Sequence, residues 1–594
     1  MSTAPADGAA GQPGAPEAVS ALRALSALLA DVRLPLEVPG VPASRALRSG
    51  VVDQLDDYVI PRFASLEAPL LAVVGGSTGA GKSTLVNSLV RAEVSYASAI
   101  RPTTRRPVLV HHPADAAWFE DGRILPHLAR VRAADRPAAP GGTGEAMHAE
   151  LELRAVDSVP PGLALLDAPD IDSVVSENRA LAAQLLAAAD LWLFVTTAAR
   201  YADAVPWALL REAAARRVVV GIVLDRVPPG DAADVRADLA AHLVTENLAH
   251  APLFVVSETA RDTRGMLPEA DVAHVRSWLQ GLAADAHTRA AVARQTLLGA
   301  VGAALARAQE VAGAAGEQVA EATALADAVH DAYTAAVERV MDTTADGTLL
   351  RGEVLARWQE FVGTGEWFRS LEASIGRLRD RITDAFRGRP APQTRVAEAV
   401  ESGLVTLIVA EAERAALDAR RAWQADPAGR ALLDAPEAAL GDPAGARAGL
   451  AERVEVEVRA WQQGILDRVR TEGEDRRTRA RMLSLGVNVS GVSLMLVVFA
   501  LSGGITGAEF GVAGGTAVVG QKVLEMVFGD QAVREMAAAA SEDLRRRTGR
   551  LFAEEAYAHT GRLDALGIDR EAPVAVAAAI DRVRAGLHAA GMSR

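Results

Sequence analysis

The chain contains no cysteine and only two lysines, Lys82 and Lys522. The missing cysteines exclude disulfides, thiolate nucleophiles and thiolate metal sites together, and fit a reducing compartment. A surplus of positive charge is also lacking. Asp plus Glu number 76 against 62 Lys plus Arg, a formal charge of -14, which argues against a general nucleic-acid binder, and no nucleic-acid partner is expected. The 11 histidines show no H-E-x-x-H or comparable metal-ligand spacing, and there is no fixed-period repeat of the solenoid kind. Residues 1–16 are almost all Ala, Gly and Pro around few charges. They read as a disordered tail, and the basic start and apolar core of a secretory signal are absent from them.

Scarcity of lysine makes the position of each one informative. Sixty of the 62 basic residues are arginine, yet "VVGGSTGAGKSTLVNSL" (73–89) carries Lys82. A compact, hydrated ammonium fits a narrow phosphate site where a broad guanidinium fork does not.

Length suggests several units. At 594 residues the chain has material for about three or four domains. Helical periodicity over 17–68 predicts N-terminal helices that join a bundle. From 69 to 284 short apolar runs alternate with helical stretches: 70–74, 107–112, 150–156, 163–169, 191–197, 217–224 and 252–257. That alternation predicts an α/β domain, a mainly parallel sheet with helices on both faces. Residues 285–481 predict a long all-α bundle or stalk, with Leu450, Val454, Val458, Trp461 and Ile465 at helical spacing. Four aromatics within 358–368 read as hinge packing between helices. The stretch 482–528 contains 27 uncharged residues, Met482 to Ala508, then Glu509 and a shorter Gly-rich apolar run. A helix of about 20 apolar residues crosses a bilayer, and basic clusters at 476–481 and 545–547 both favour the cytoplasmic side. A membrane hairpin is expected there, with returning helices over 529–594. The other reading of the stretch is a buried bundle helix.

The chemistry centres on Gly76, Ser77, Thr78, Gly79, Ala80, Gly81, Lys82 and Ser83. They fit G-x-x-x-x-G-K-[ST] between a predicted strand and a predicted helix. Glycines let backbone N–H groups curl around a phosphate, the helix start adds its dipole, and Lys82 reaches the outer oxygens. Ser83 is expected to hold Mg2+, and Thr84 extends the nucleotide-binding run.

Further segments resemble dynamin-like GTPases. "TTRRPVLV" (103–110) resembles their switch I, which implies that Thr104 closes over Mg2+ and positions the attacking water. "LLDAPD" (165–170) resembles the D-x-x-G segment, which implies that Asp167 stands in the outer shell of Mg2+. Two departures bear on turnover. Position 170 holds Asp where the family has Gly, placing a carboxylate near a polyanion, and Ile171 stands where a catalytic Gln would follow, so water activation is not of the Gln-dependent kind. Asp225-Arg226-Val227-Pro228 stands where the family reads guanine with Asn-Lys-x-Asp; Asp225 or Asp231 is the candidate carboxylate, and Ser257 falls in the last base-contacting loop.

In its order of segments the chain resembles bacterial dynamin-like GTPases. The resemblance implies GTP and Mg2+ as ligands and homo-oligomers or hetero-oligomers with a related protein, while the departures at 170 and 171 imply slow hydrolysis. It also implies a membrane-bound assembly, hence a lipid partner, and a role in membrane remodelling or at the division site; the basic clusters put the expected attachment at the cytoplasmic face of the cell membrane with both termini cytoplasmic. "GSTGAGKSTLVNSL" is equally similar to Era-type GTPases, because Thr78 and Gly79 replace the Gln and Ser of dynamins. An Era-like regulatory GTPase and a nucleotide-binding scaffold with little turnover are therefore the alternatives.

Overall fold

The computed structural model describes residues 15–95, 106–120, 125, 128–132, 150–172, 176–201, 203–228, 230–345, 392–435, 449–472, 494–495, 524–525 and 528–592. Thr104, the aromatic cluster of 358–368 and nearly all of the 482–528 stretch lie outside these residues.

The chain divides into two compact units. The first comprises 1–34, 40–316 and 569–594, the second 35–39 and 317–568. Helices α1 (Ala15–Asp31), α2 (Val41–Gln54) and α3 (Ile60–Ala64), the last two joined by a π-helical turn at Leu55–Val59, precede the first strand. The sheet strands are β1 (Leu70–Gly76), β2 (Val108–His111), β3 (Ala129–Arg132), β4 (Glu150–Ala155), β5 (Leu163–Asp167), β6 (Leu191–Thr197), β7 (Val219–Val227) and β8 (Leu253–Ser257). Their spatial order is β3-β4-β2-β5-β1-β6-β7-β8. Every neighbouring pair is parallel except β2 with β5. Between strands run α4 (Lys82–Val90), the single turn α5 (Ala116–Phe119), α6 (Ser176–Ala187), α7 (Ala204–Arg216) and α8 (Ala232–Thr245), and α9 (Glu269–Ala283) follows β8.

The apolar run of β1 shows why the sheet has to be covered on both faces. All seven of its residues are buried, and successive side chains of a strand point to opposite faces. Leu70, Ala72 and Val74 join a core with Leu85, Val86 and Leu89 of α4 and Val272, Val275 and Leu279 of α9. On the opposite face, a Cβ at Gly75 would come 3.1 Å from Leu186 of α6.

A buried acid ties the N-terminal helices to this sheet. Asp190, just before β6, accepts from the Tyr58 hydroxyl (3.1 Å) and the Leu71 N–H (2.9 Å) and pairs with Arg62 at 2.9 Å. Burial, then the neighbouring Asp190 charge, pushes the Tyr58 phenol well above its ordinary value. The chain end also returns to this unit. Helix α10 (Ala286–Ala345) follows α9, its residues to Gly316 counting with the first unit and the rest with the second. After α11 (Pro392–Ala425), α12 (Pro427–Asp434), α13 (Leu450–Glu472) and α14 (Asp530–Ala565), the last helix α15 (Ala572–Ala589) packs along α1. The fit is tight, since a Cβ at Gly586 would come 2.9 Å from the Ala18 backbone.

The second unit is a helical bundle. Val454, Val458, Trp461, Ile465 and Val469 of α13 are buried, at the spacing that places them on one face. They share a core with Leu404, Ile408, Ala415 and Trp423 of α11 and Leu544, Leu551 and Phe552 of α14. The two buried indoles have backbone acceptors: Trp423 Nε1 donates to Leu325 O at 3.0 Å and Trp461 Nε1 to Ala540 O at 2.9 Å. Two sequence expectations meet this bundle. Arg545, Arg546 and Arg547, read as a membrane-flanking cluster, are engaged by Glu338, by Asp543, and by Glu457 with Asp543. Leu494, Met495 and Leu524, within the hydrophobic stretch, are buried members of the bundle core. Among the described residues no helix is long and apolar enough to cross a membrane.

Candidate phosphate-binding site

The site is built at the carboxyl end of β1, near the middle of the sheet. Backbone conformation explains its glycines. Gly76, Gly79 and Gly81 have φ of 153°, 75° and 95°, values that side-chain-bearing residues avoid. A Cβ at Gly76 would come 2.1 Å from Val195 O, and one at Gly81 2.3 Å from Asp225 Oδ2. The loop thus closes against β6 and β7 and enters α4 at Lys82 with Gly81 as its N-cap.

Lys82 is buried, and its ammonium has three acceptors. Nζ donates to Gly76 O (2.9 Å), to Ser77 O (3.1 Å) and to the Asp170 carboxylate in a short ion pair. One turn of helix begins beside it, where Ser83 donates from Oγ to Asp167 Oδ2 at 2.6 Å. Ser95 donates to the same oxygen. Asp167 is fully buried, and its Oδ1 has no hydrogen-bond partner among the described residues. Burial pushes the pKa of this carboxyl up from its ordinary value, against the pull of the two serine hydroxyls. A buried carboxylate with one oxygen unpartnered, beside a serine hydroxyl, suits a hard cation that takes oxygen ligands and keeps phosphate or water in its remaining positions. Among the described residues no cluster of three His, Cys, Asp or Glu could hold a metal on its own. Ser77 Oγ is a second buried polar atom of the loop with no partner, while Thr84 is buried in α4 and its carbonyl accepts from Ser88.

The loop after β5 lies across the phosphate loop. Its Ala168 and Ile171 N–H groups donate to Val74 O and Gly76 O. Asp172 Oδ1 accepts from both the N–H (2.6 Å) and the hydroxyl (2.7 Å) of Thr78, and its Oδ2 pairs with Arg200 at 2.9 Å. Burial pushes the Asp172 carboxyl up, but the two Thr78 bonds and the Arg200 charge outweigh it and hold it below its ordinary value. Ile171 is buried, so its side chain offers no polar atom to a water molecule.

The candidate base-reading residues are partly gathered. Asp225, near the end of β7, is brought against Gly81. Its Oδ1 is buried without a partner among the described residues, and burial pushes its pKa up despite the Arg226 N–H and charge. Arg226 has φ 54° at a register shift between β7 and β8, and its guanidinium is half-exposed. Ser257 ends β8 beside Val227, exposed. Asp231 precedes α8 as its N-cap residue. Asp172, Arg200 and Ser95 were not legible as site residues: Ser95 and Arg200 sit in turns of no set pattern. Asp172 alone had a signal, standing five residues after Asp167 on the same loop.

A glycine loop between a central parallel strand and a helix, with a buried lysine and a serine hydroxyl on a buried aspartate, defines a P-loop nucleotide-binding domain. Residues 71–217 match the model of the Dynamin family. This stretch, less than half of the chain, is thus similar to the Dynamin family in the part that carries the phosphate loop. No curated protein matches the chain significantly. Among solved structures, two chains are described as an oligomerised bacterial dynamin pair that provides a mechanism for the long-range sensing and tethering of membranes. One aligns over 95% of this chain and 94% of its own, at 8% identity and a TM-score of 0.42. The other aligns over 94% and 97%, at 9% identity and a TM-score of 0.42.

Proposed function

We propose that the site binds GTP with Mg2+ and hydrolyses it slowly, within a dynamin-like protein that self-associates at the cytoplasmic face of the cell membrane. The observation that carries the nucleotide reading is the meeting of Lys82, Ser83 and Asp167 at one end of the glycine loop. Backbone N–H groups from Gly76 to Gly81 would hold the phosphate chain, and Lys82 its outer oxygens. Ser83 directly and Asp167 through the outer shell would hold Mg2+, which when bound neutralises charge on the phosphates. Thr104, by resemblance, positions the attacking water. Slow turnover is supported by Ile171, whose buried side chain cannot orient that water. Asp225 and Arg226 at Gly81, with Ser257, would face the base.

Membrane attachment rests on the 27 uncharged residues from Met482 to Ala508. A competing reading, an Era-like GTPase whose apolar stretch is bundle core, is favoured by the burial of Leu494, Met495 and Leu524. Nucleotide specificity is tested on the full chain, because both chain ends pack into the first unit. Displacement of a fluorescent GTP analogue by GTP and not by ATP, lost with EDTA, is the expected result, together with slow phosphate release. Equal displacement by both nucleotides would remove the guanine reading, and no binding at all would remove the site.

A further inference from the structure

We propose that Asp170 is a specificity-determining residue that competes with the terminal phosphate of a nucleoside triphosphate for Lys82, so that the site favours the diphosphate. The inference rests on the nucleotide reading given above. A lysine ammonium has three hydrogens to donate, and Lys82 has three acceptors in place: two carbonyls of its own loop and the Asp170 carboxylate. The carbonyls of Gly76 and Ser77 are fixed by the loop backbone. Asp170 is the only acceptor carried on a side chain, and a phosphate oxygen approaching Lys82 has to replace it or lie beside it.

The lysine of a phosphate loop reaches the β- and γ-phosphates, so a carboxylate paired with Lys82 Nζ stands at the outer end of the phosphate chain. A diphosphate ends short of it. A triphosphate brings its most charged group against a carboxylate in a site that is largely closed to water, where like charges repel far more strongly than in bulk. The second acid of the same loop acts in the same sense. Asp172 occupies the Thr78 N–H and hydroxyl and holds the Arg200 guanidinium. Two carboxylates thus engage a phosphate-loop N–H and the Lys82 and Arg200 cations, and the loop after β5 serves as a built-in anion.

The test measures binding of fluorescent GDP and of a fluorescent non-hydrolysable GTP analogue, with Mg2+, to the full-length protein, Asp170→Gly and Asp170→Asn. Removing the charge should raise triphosphate affinity by about tenfold or more while changing diphosphate affinity by less than about threefold. Asp170→Asn keeps the side-chain shape, so it carries the measurement if the glycine variant folds poorly. A triphosphate-to-diphosphate ratio unchanged in the variants, or a fall in triphosphate affinity, overturns the role of Asp170 while leaving the site standing. If the cooperatively melting wild type and both variants bind neither nucleotide, the nucleotide reading falls and this inference with it.

Discussion

The Asp225 carboxylate leaves no room for a side chain on Gly81, since a Cβ there would come 2.3 Å from Asp225 Oδ2. Gly81 also has φ 95°, a conformation costing roughly 1–3 kcal/mol for other residues. Gly81→Ala should therefore lower the unfolding free energy of the first unit by at least about 1 kcal/mol. Adding Asp225→Ala should recover only the part due to the contact. Chemical denaturation followed by tryptophan fluorescence measures both, and a Gly81→Ala protein as stable as wild type would show that the loop relaxes freely.

Asp225 predicts a stability change of the opposite sign. Its carboxyl is buried with Oδ1 unpartnered among the described residues and its pKa raised by burial. In the native state it binds its proton more readily than in the unfolded chain, so stability falls as pH rises from the ordinary aspartate value through the raised one. Asp225→Asn removes the charge and should stabilise the protein at pH 7 by about 1 kcal/mol. The gain should shrink as pH falls toward the ordinary aspartate range, where the wild-type carboxyl is already neutral. Melting curves at several pH values decide the matter, and a gain independent of pH would mean that the charge is not its origin.

The strands were largely legible and the site only in part, for identifiable reasons. The seven segments read as strands correspond to β1, β2, β4, β5, β6, β7 and β8; β1 and β6, buried nearly throughout, carry unbroken apolar sequence, whereas β4 alternates Glu-Leu-Glu-Leu. Strand β3, Ala-Arg-Val-Arg at the sheet edge, has no such run: its four residues are half-buried or exposed, and only its pairing with β4 makes it a strand. Lys82 and Ser83 stood out because a backbone cradle requires fixed spacing along the chain. Asp172 and Arg200 did not, because their pairing joins residues 28 apart through side chains alone. The arginines at 545–547 show the limit of charge patterning. A basic cluster beside an apolar stretch has the same sequence signature whether lipid headgroups or the acids Glu338, Glu457 and Asp543 neutralise it.

Lys82 couples binding to local stability. Lys82→Ala should abolish nucleotide binding, and it also strips the Asp170 carboxylate of its counter-charge. A loss of about 1–3 kcal/mol is expected from leaving buried acceptors unpaired. The double variant Lys82→Ala with Asp170→Ala should be less destabilised than the sum of the two single changes, the signature of residues in contact. Lys82→Arg should bind nucleotide poorly although its charge is kept, because the planar fork does not fit a loop that closes on a point charge. Normal binding by a folded arginine variant would remove the explanation for this lysine in a chain with 60 arginines.

The apolar stretch 482–528 gives the most consequential prediction, because its two readings differ in every measurable respect. Each leucine-like residue is worth roughly 0.3–0.6 kcal/mol at mid-membrane, and some 20 of them outweigh the Gly and Ser between them. Glu509 marks the expected turn, since a charged group at the bilayer centre costs about 2.5–3.5 kcal/mol and is better placed at an interface. The intact protein should then resist carbonate extraction. In this cysteine-free chain, Thr478→Cys and Ala538→Cys should both label from the cytoplasmic side; Ala538 is exposed on α14, whereas Thr548 is buried. Glu509→Cys should label from outside in a two-span hairpin and stay inaccessible in a shallow one. If the stretch is bundle core throughout, as the burial of Leu494, Met495 and Leu524 would have it, the protein washes off with carbonate. Labelling at 478 and 538 from opposite sides would instead require a single span. Retention in carbonate with both flanks cytoplasmic would mean that part of the stretch enters lipid although those three side chains pack in the bundle, because burial of three residues there cannot hold a whole protein on a membrane.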